Sequence, residues 1–190
     1  WVRWLLFSDL HVGTRTLETS LKVLSAVHKA AVERDAHVAF LGDFWDVRGV
    51  LPVDPLNRII EELTSWSRPM YMIPGNHDQV DLGGSCHSLH VIESSVRKTH
   101  VFTEPECFAD ILWIPYRRHS SEVEKAIAGH PEARAIFCHV DIAGAWMNNL
   151  RQSGHGLPVT AFPTDIPTFT GHYHRPHSVD GAPNIVYVGS

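Results

Sequence analysis

Hydrophobic and polar positions follow two alternating periods along the first half of the chain. Val2 to Phe7 is an apolar run interrupted only by Arg3, short enough for a buried strand, and it runs into Ser8-Asp9-Leu10-His11. Leu17 to Arg34 then places Leu17, Leu21, Leu24, Val27, Ala31 and Val32 at steps of three and four, which predicts an amphipathic helix. His28 on that helix reads as a surface or boundary residue. His37 to Leu41 is a second strand, ending at Gly42-Asp43. Pro55 to Trp66 is again helical, with Leu56, Ile59, Ile60 and Leu63 on one face. Met70 to Ile73 is a third strand, and the turn signal Pro74-Gly75 follows it, leading into Asn76-His77-Asp78. Strand, helix, strand, helix, strand with short connections predicts parallel βαβ units with right-handed crossovers.

The second half is patterned less evenly. Val80 to Val96 gives a weak signal around Gly83-Gly84-Ser85, and His87 and His90 there have no obvious partner, so both read as surface residues. Thr99 to Thr103 and Cys107 to Pro115 are expected to form a strand pair around Glu104-Pro105-Glu106. Ser120 to Ala128 is a short helix with Ser120 or Ser121 as its cap and Glu124 in its first turn. Ala133 to Cys138 is a strand ending at His139. Gly144 to Phe162 has little periodicity, and a loop of that length inside a compact domain is expected to be functional or mobile. Thr168-Phe169-Thr170 leads into Gly171-His172-Tyr173-His174, and Asn184 to Val188 is the last strand.

The recurrent feature is what stands at the strand ends. In parallel sheets functional groups gather beyond the carboxyl ends of the strands, so residues far apart in sequence meet there. Asp9, His11, Asp43, Asn76, His139, His172 and His174 all occupy such positions. An oxygen and nitrogen set without thiolate suits Mn, Fe or Zn in a catalytic role rather than a structural zinc site. The set is too large for one metal that keeps an open position. Two metals, about 3.5–4 Å apart and bridged by one carboxylate, account for it better.

Composition narrows the setting. A chain of 190 residues buries about 70% of its unfolded surface as one domain. Residues 1–190 are therefore read as a single domain, truncated at one or both ends because the chain opens on Trp1 without an initiator Met and stops at Ser190. No apolar run approaches the ~20 residues that cross a bilayer, which excludes a membrane-spanning helix. The net charge of −5 is a poor footprint for gripping duplex DNA unaided. Cys86, Cys107 and Cys138 are an odd number without C-x-x-C spacing, which points to a reducing, intracellular compartment. The 14 histidines are the compositional oddity, and a metal site would use several of them.

Asp9-Leu10-His11, Gly42-Asp43, Gly75-Asn76-His77-Asp78, His139 and Gly171-His172-Tyr173-His174 stand in the order D-x-H, G-D, G-N-H-[DE], H, G-H-x-H. In this the chain resembles the calcineurin-like metallophosphoesterases over nearly its whole length. The resemblance implies an α/β fold: a four-layer sandwich of mixed βαβ sheets flanked by helices, with a dinuclear metal site at the carboxyl ends of the strands. It implies that Asp9, His11, Asp43 and His174 hold one divalent metal, and Asp43, Asn76, His139 and His172 the other. Mn is the first choice of ion, with Fe, Zn or Mg as alternatives. His77 would be a catalytic group beside the metals rather than a ligand. Asp46 matches the position that often pairs with that histidine, and a loop-capping carboxylate is the competing reading. The implied chemistry is attack of metal-activated hydroxide on phosphorus, with an imidazole returning a proton to the departing alkoxide.

Gly42-Asp43-Phe44-Trp45-Asp46, Met70 to Asp78 and Asn184 to Ser190 are most similar to SbcD-type recombination and repair nucleases and their phage relatives. That resemblance implies a phosphodiesterase, or nuclease, acting on DNA, RNA or nucleotide diesters. The alternatives are a phosphomonoesterase, protein or small-molecule, and a non-catalytic scaffold that keeps the fold. Protein phosphatases are a poorer match, since the arginine of Asp46-Val47-Arg48-Gly49 is displaced by one and Asp78 stands where they carry Glu. Arg48 and Arg175 are the candidate substrate-binding residues, and Arg15 and Arg151 also sit on loops next to the ligands. A solvated surface arginine is the competing reading for each. Trp45, Trp146 and Tyr173 are candidates to stack a base, against the commoner fate of a buried aromatic. No reading of the residues indicates the oligomeric state.

Overall fold

The structure is a computed structural model describing residues 2–81 and 83–190. Trp1 and Leu82, the latter in the weakly patterned Val80 to Val96 segment, lie outside the described residues.

Two sheets face each other. The first is parallel, in the order β1 (Arg3–Phe7), β2 (Ala36–Phe40), β3 (Met70–Met72), β4 (Thr99–Val101). Its crossovers are the helices α1 (Leu17–Glu33), α2 (Val53–Thr64) and α3 (His90–Ser95). The second sheet is mixed: β5 (Glu106–Phe108), β6 (Ile111–Ile114), β7 (Ala135–His139), β8 (Thr168–Gly171), β10 (Ala182–Tyr187) and β9 (His177–Val179), in that spatial order. α4 (Ser120–Gly129) crosses between β6 and β7.

Side-chain alternation along the strands builds the layers. Val38, Phe40, Met70 and Met72 face Leu24, Ile59, Leu63 and Ile92 of the helices. The alternate residues Ala39, Leu41 and Ile73 turn the other way and meet Ile111, Trp113 and Phe137 of the second sheet. Ile136 and Cys138 then point outward, against Val123 and Ala126 of α4 and against Ile142, Leu157 and Phe162 of the long connection. The result is helices, sheet, sheet, and a fourth layer shared by one helix and the 144–162 segment. This is the expected α/β sandwich.

Several local expectations change. Thr99–Val101 does not pair with the following strands: β4 closes the first sheet beside β3, and the chain then crosses to the second. The pair that forms is β5 with β6, across Ala109-Asp110, both at positive φ (54° and 62°) as a tight primed turn requires. α3 lies in the segment that gave no clear period, because six residues are too few to display one. His87 is buried, not a surface residue. His28 does sit at a boundary, its ring stacked 5.1 Å from that of Trp66. α4 begins at Ser120 with His119, not a serine, at its cap, and Glu122 rather than Glu124 in its first turn. The 144–162 segment is tied down. Ser153 Oγ donates to Asp141 Oδ1 at 2.9 Å, and Leu157 N donates to the Asp141 carbonyl at 2.9 Å. Among the described residues no helix is long and apolar enough to cross a membrane.

Candidate metal centre

The strands of both sheets end on one side, and their last residues turn sharply into loops. Asp9, His11, Asp43 and His172 all adopt positive φ (54°, 46°, 62° and 94°). Non-glycine residues seldom do so, and such conformations persist where surrounding contacts over-determine them. Two glycines make the close approach possible. A Cβ on Gly75 would fall on the main chain and carboxylate of Asp43, and one on Gly42 would fall on the His139 ring.

Two donor groups result. Asp9, His11 and His174 form one, and Asp43, His139 and His172 the other, each able to offer one ligand atom per residue within 4.8 Å of the rest. Asp43 Oδ2 lies 3.4 Å from His139 Nε2 and 4.0 Å from His11 Nε2, so a single carboxylate oxygen reaches both groups. Asn76 Oδ1 joins the second group, 2.9 Å from His139 Nε2 and 3.1 Å from His172 Nδ1. His174 Nε2 is 4.0 Å from Asp9 Oδ1, on an exposed side chain. The backbone N–H of His172 donates to both Asp9 oxygens at 3.1 and 3.2 Å, which locks the first loop to the last.

The chemistry of these atoms fits a divalent cation. His139 Nδ1 lies 2.7 Å from the Leu41 carbonyl and must carry the proton there, so Nε2 presents its lone pair. That lone pair meets an amide oxygen and a carboxylate oxygen, which are acceptors too. His11 Nε2 is buried without any hydrogen-bond partner. A site where acceptors converge and donors are missing is satisfied by a positive ion. Asp43 and His139 also act as a charge pair when His139 takes up a second proton. Burial would raise the Asp43 carboxyl, yet the His139 imidazole and the His77 N–H hold it well below the usual carboxylate range. Burial would lower His139, but Asp43 beside it drives it up to about 9. Burial, with His139 adjacent, pushes His172 down to about 4, and burial also lowers His11.

His77 lies beside this cluster. Its N–H donates to Asp43 Oδ1 at 2.8 Å, and its ring stands edge-on to that of His11 at 5.0 Å. Asp46 meets it differently from the sequence expectation. His77 Nδ1 is 3.3 Å from the main-chain carbonyl of Asp46, and the Asp46 carboxylate is turned towards Gly13. Arg175 is also diverted: its guanidinium carbon stands 5.3 Å from the centre of the Trp146 ring, a cation–π pair. Arg48 is exposed at the mouth of a groove that reaches Asn76. Trp45 and Tyr173 are buried, and Tyr173 donates its hydroxyl to Asp141 Oδ1 at 2.6 Å.

Asp78, which sequence reasoning left without a role, organises the loops. It is fully buried, and each oxygen accepts two backbone N–H groups. Oδ2 takes those of Asp43 (2.8 Å) and Gly75 (2.9 Å), and Oδ1 takes those of Phe44 (2.9 Å) and Trp45 (3.2 Å). Burial and the Asp43 charge push its carboxyl up, to about 7, against the pull of those donors.

No curated protein matches the chain. Among solved structures, the Pseudomonas putida nuclease MPE superposes with a TM-score of 0.49 at 16% identity, over 95% of this chain and 66% of the nuclease. This chain thus spans just under two thirds of that protein's length. The protein of unknown function AQ665 from Aquifex aeolicus gives a TM-score of 0.44 at 14% identity, over 79% of this chain and 82% of its own. The sequence model of the calcineurin-like phosphoesterases matches residues 2–115, more than half of the chain and the part that carries Asp9, His11, Asp43, Asn76 and His77. The chain belongs to the calcineurin-like phosphoesterase family.

Proposed function

We propose that this protein is a phosphodiesterase of nucleic-acid or nucleotide diesters that works with two divalent ions, Mn first among them. The observation that carries the two-ion reading is Asp43 Oδ2, set between His11 on one side and His139 on the other. Asp9, His11, Asp43 and His174 would hold one ion, and Asp43, Asn76, His139 and His172 the other. Such ions, when bound, neutralise phosphate charge and make water acidic enough to attack near neutral pH. The similarity of Gly42 to Asp46 and of Met70 to Asp78 to the SbcD-type nucleases supports a nucleic-acid diester as the substrate.

The protein's own residues supply the rest. Asn76 contributes an oxygen without a charge, so the site gains a ligand and no further repulsion of phosphate. His77 is positioned through its N–H on Asp43 Oδ1 and its Nδ1 on the Asp46 carbonyl. That leaves Nε2 as the nitrogen free to carry a proton to the departing alkoxide oxygen, which takes it as the phosphorus–oxygen bond breaks. Asp46 acts in this reading as the main-chain anchor of His77. Hydrolysis of bis-p-nitrophenyl phosphate with Mn²⁺, lost in Asp43→Asn, tests the reading. Faster hydrolysis of p-nitrophenyl phosphate than of the diester would overturn it in favour of a monoesterase.

A further inference from the structure

A groove of about 330 Å³ has Asn76 in its lining, with Arg48, Gln79, Asp81, Tyr116 and Arg118. That volume falls within the range of about 300–1,000 Å³ typical of ligand sites. Its arginines differ from the others nearby. Arg117 is buried and donates to the Thr103 carbonyl, with its second partner the Glu104 carboxylate. Arg175 lies on Trp146. Arg48 and Arg118 are exposed, and among the described residues neither makes an ion pair. Two unneutralised guanidinium groups on one short groove, in a chain of net charge −5, are a local anion site.

The groove also has an aromatic wall. The half-buried Tyr116 ring stands 6.3 Å from that of His139, next to the donor cluster, and its main chain is held by Gln79 Nε2, which donates to the Tyr116 carbonyl at 2.8 Å. The one anionic wall residue, Asp81, is engaged locally: its carboxylate accepts from Ser85 Oγ at 2.6 Å and from Cys86 N at 3.2 Å. A guanidinium pair beside a half-exposed ring matches the repeating phosphate and base of a single strand, since backbone charge and base stacking are what sequence-tolerant strand binding uses.

We infer that Arg48, Arg118 and Tyr116 form a strand-binding subsite, taking a phosphate and a base of single-stranded nucleic acid next to the scissile diester. This rests on the proposed diesterase reading and gives it a substrate class. The guanidinium groups hold the flanking phosphate, and the Tyr116 ring stacks the neighbouring base.

The test is fluorescence anisotropy of a labelled ten-nucleotide oligo-dT on the full chain in chelator, so that no turnover occurs. Arg118→Ala and Arg48→Ala should each weaken binding several-fold at low salt. Each should also reduce the slope of log K against log salt by about 0.7, one phosphate contact on a single strand. Arg118→Lys should restore the slope. Tyr116→Ala should weaken binding about 5- to 100-fold, the loss of one stacked base. Arg97→Ala, remote from the groove, should match wild type. Unchanged affinity and slope in the Arg48→Ala, Arg118→Ala double variant would overturn the subsite. So would displacement of the oligonucleotide by inorganic phosphate as readily as by unlabelled oligo-dT, which marks a single-phosphate pocket. Because binding is read without turnover, loss of bis-p-nitrophenyl phosphate hydrolysis by wild type overturns the catalytic reading separately.

Discussion

Replacing Asp78 by asparagine changes one atom's chemistry at the point where two ligand loops are fastened together. The carboxylate accepts four backbone N–H groups, two on each oxygen, from Asp43, Gly75, Phe44 and Trp45. An amide keeps one acceptor oxygen and turns the other into a donor, which faces two N–H groups that cannot accept from it. Two charge-assisted bonds are lost, each worth about 1.5–3 kcal/mol, so the variant should lose about 3–6 kcal/mol. Against a typical total of about 5–15 kcal/mol this is a large fraction. At about 2–4 °C per kcal/mol for a domain of this size, the melting temperature of Asp78→Asn should fall by about 6–24 °C. A carboxyl that burial and Asp43 push up to about 7 loses folding stability as pH rises towards that value, so pH 8, where wild type is mostly ionised, sets the four bonds against the cost of the charge and is the stringent condition. Thermal unfolding followed by circular dichroism gives the shift. A variant melting within 2 °C (on the order of experimental error) of wild type, or above it, would show that the cost of burying the charge outweighs the four bonds and refute the bracing argument.

Three further outcomes follow from the same geometry. His77→Ala should keep its metals by elemental analysis while losing about 10²–10⁴-fold in kcat on alkoxide leaving groups, and far less on p-nitrophenolate, which departs without a proton; equal losses on both would remove the general-acid role. Gly75→Ala should bind little metal, because the new methyl occupies the place of Asp43, and full metal content by the same assay would contradict that. Tyr173, between the candidate ligands His172 and His174 in sequence, donates its hydroxyl to Asp141, and Tyr173→Phe removes that bond. It should cost about 1–3 kcal/mol in urea unfolding, and an unchanged midpoint would show the bond to be dispensable.

What could be read from the chain was whatever its local period exposes. Long apolar steps in α1 and α2 and the buried runs of β1, β2 and β3 are visible, and with them the rule that parallel strands deliver their ends to one place. The sorting of β4 into one sheet and β5–β6 into the other depends on which edge remains open after folding, and the residues Thr99 to Pro115 carry no mark of it. Asp78 shows as a carboxylate after Asn76-His77, but its four N–H partners belong to loops that only tertiary structure brings near. Arg175 sits next to His174 in sequence and so invites a phosphate role, while its guanidinium finds Trp146 across the fold. Arg118 had the reverse fate. Nothing in Tyr116-Arg117-Arg118 tells the buried, paired arginine from the exposed one, and the difference emerges only in the fold, where Arg117 meets the Thr103 carbonyl and the Glu104 carboxylate while Arg118 stays exposed.

The most direct test of the two-ion centre is a titration of chelated wild-type protein with Mn²⁺, counting bound metal and following hydrolysis of bis-p-nitrophenyl phosphate in the same samples. The account predicts that binding saturates at two ions per chain, that activity follows the second, and that Asp43→Asn shows neither full occupancy nor turnover. Full activity at one bound ion, or two ions bound without hydrolysis of the diester, would contradict it.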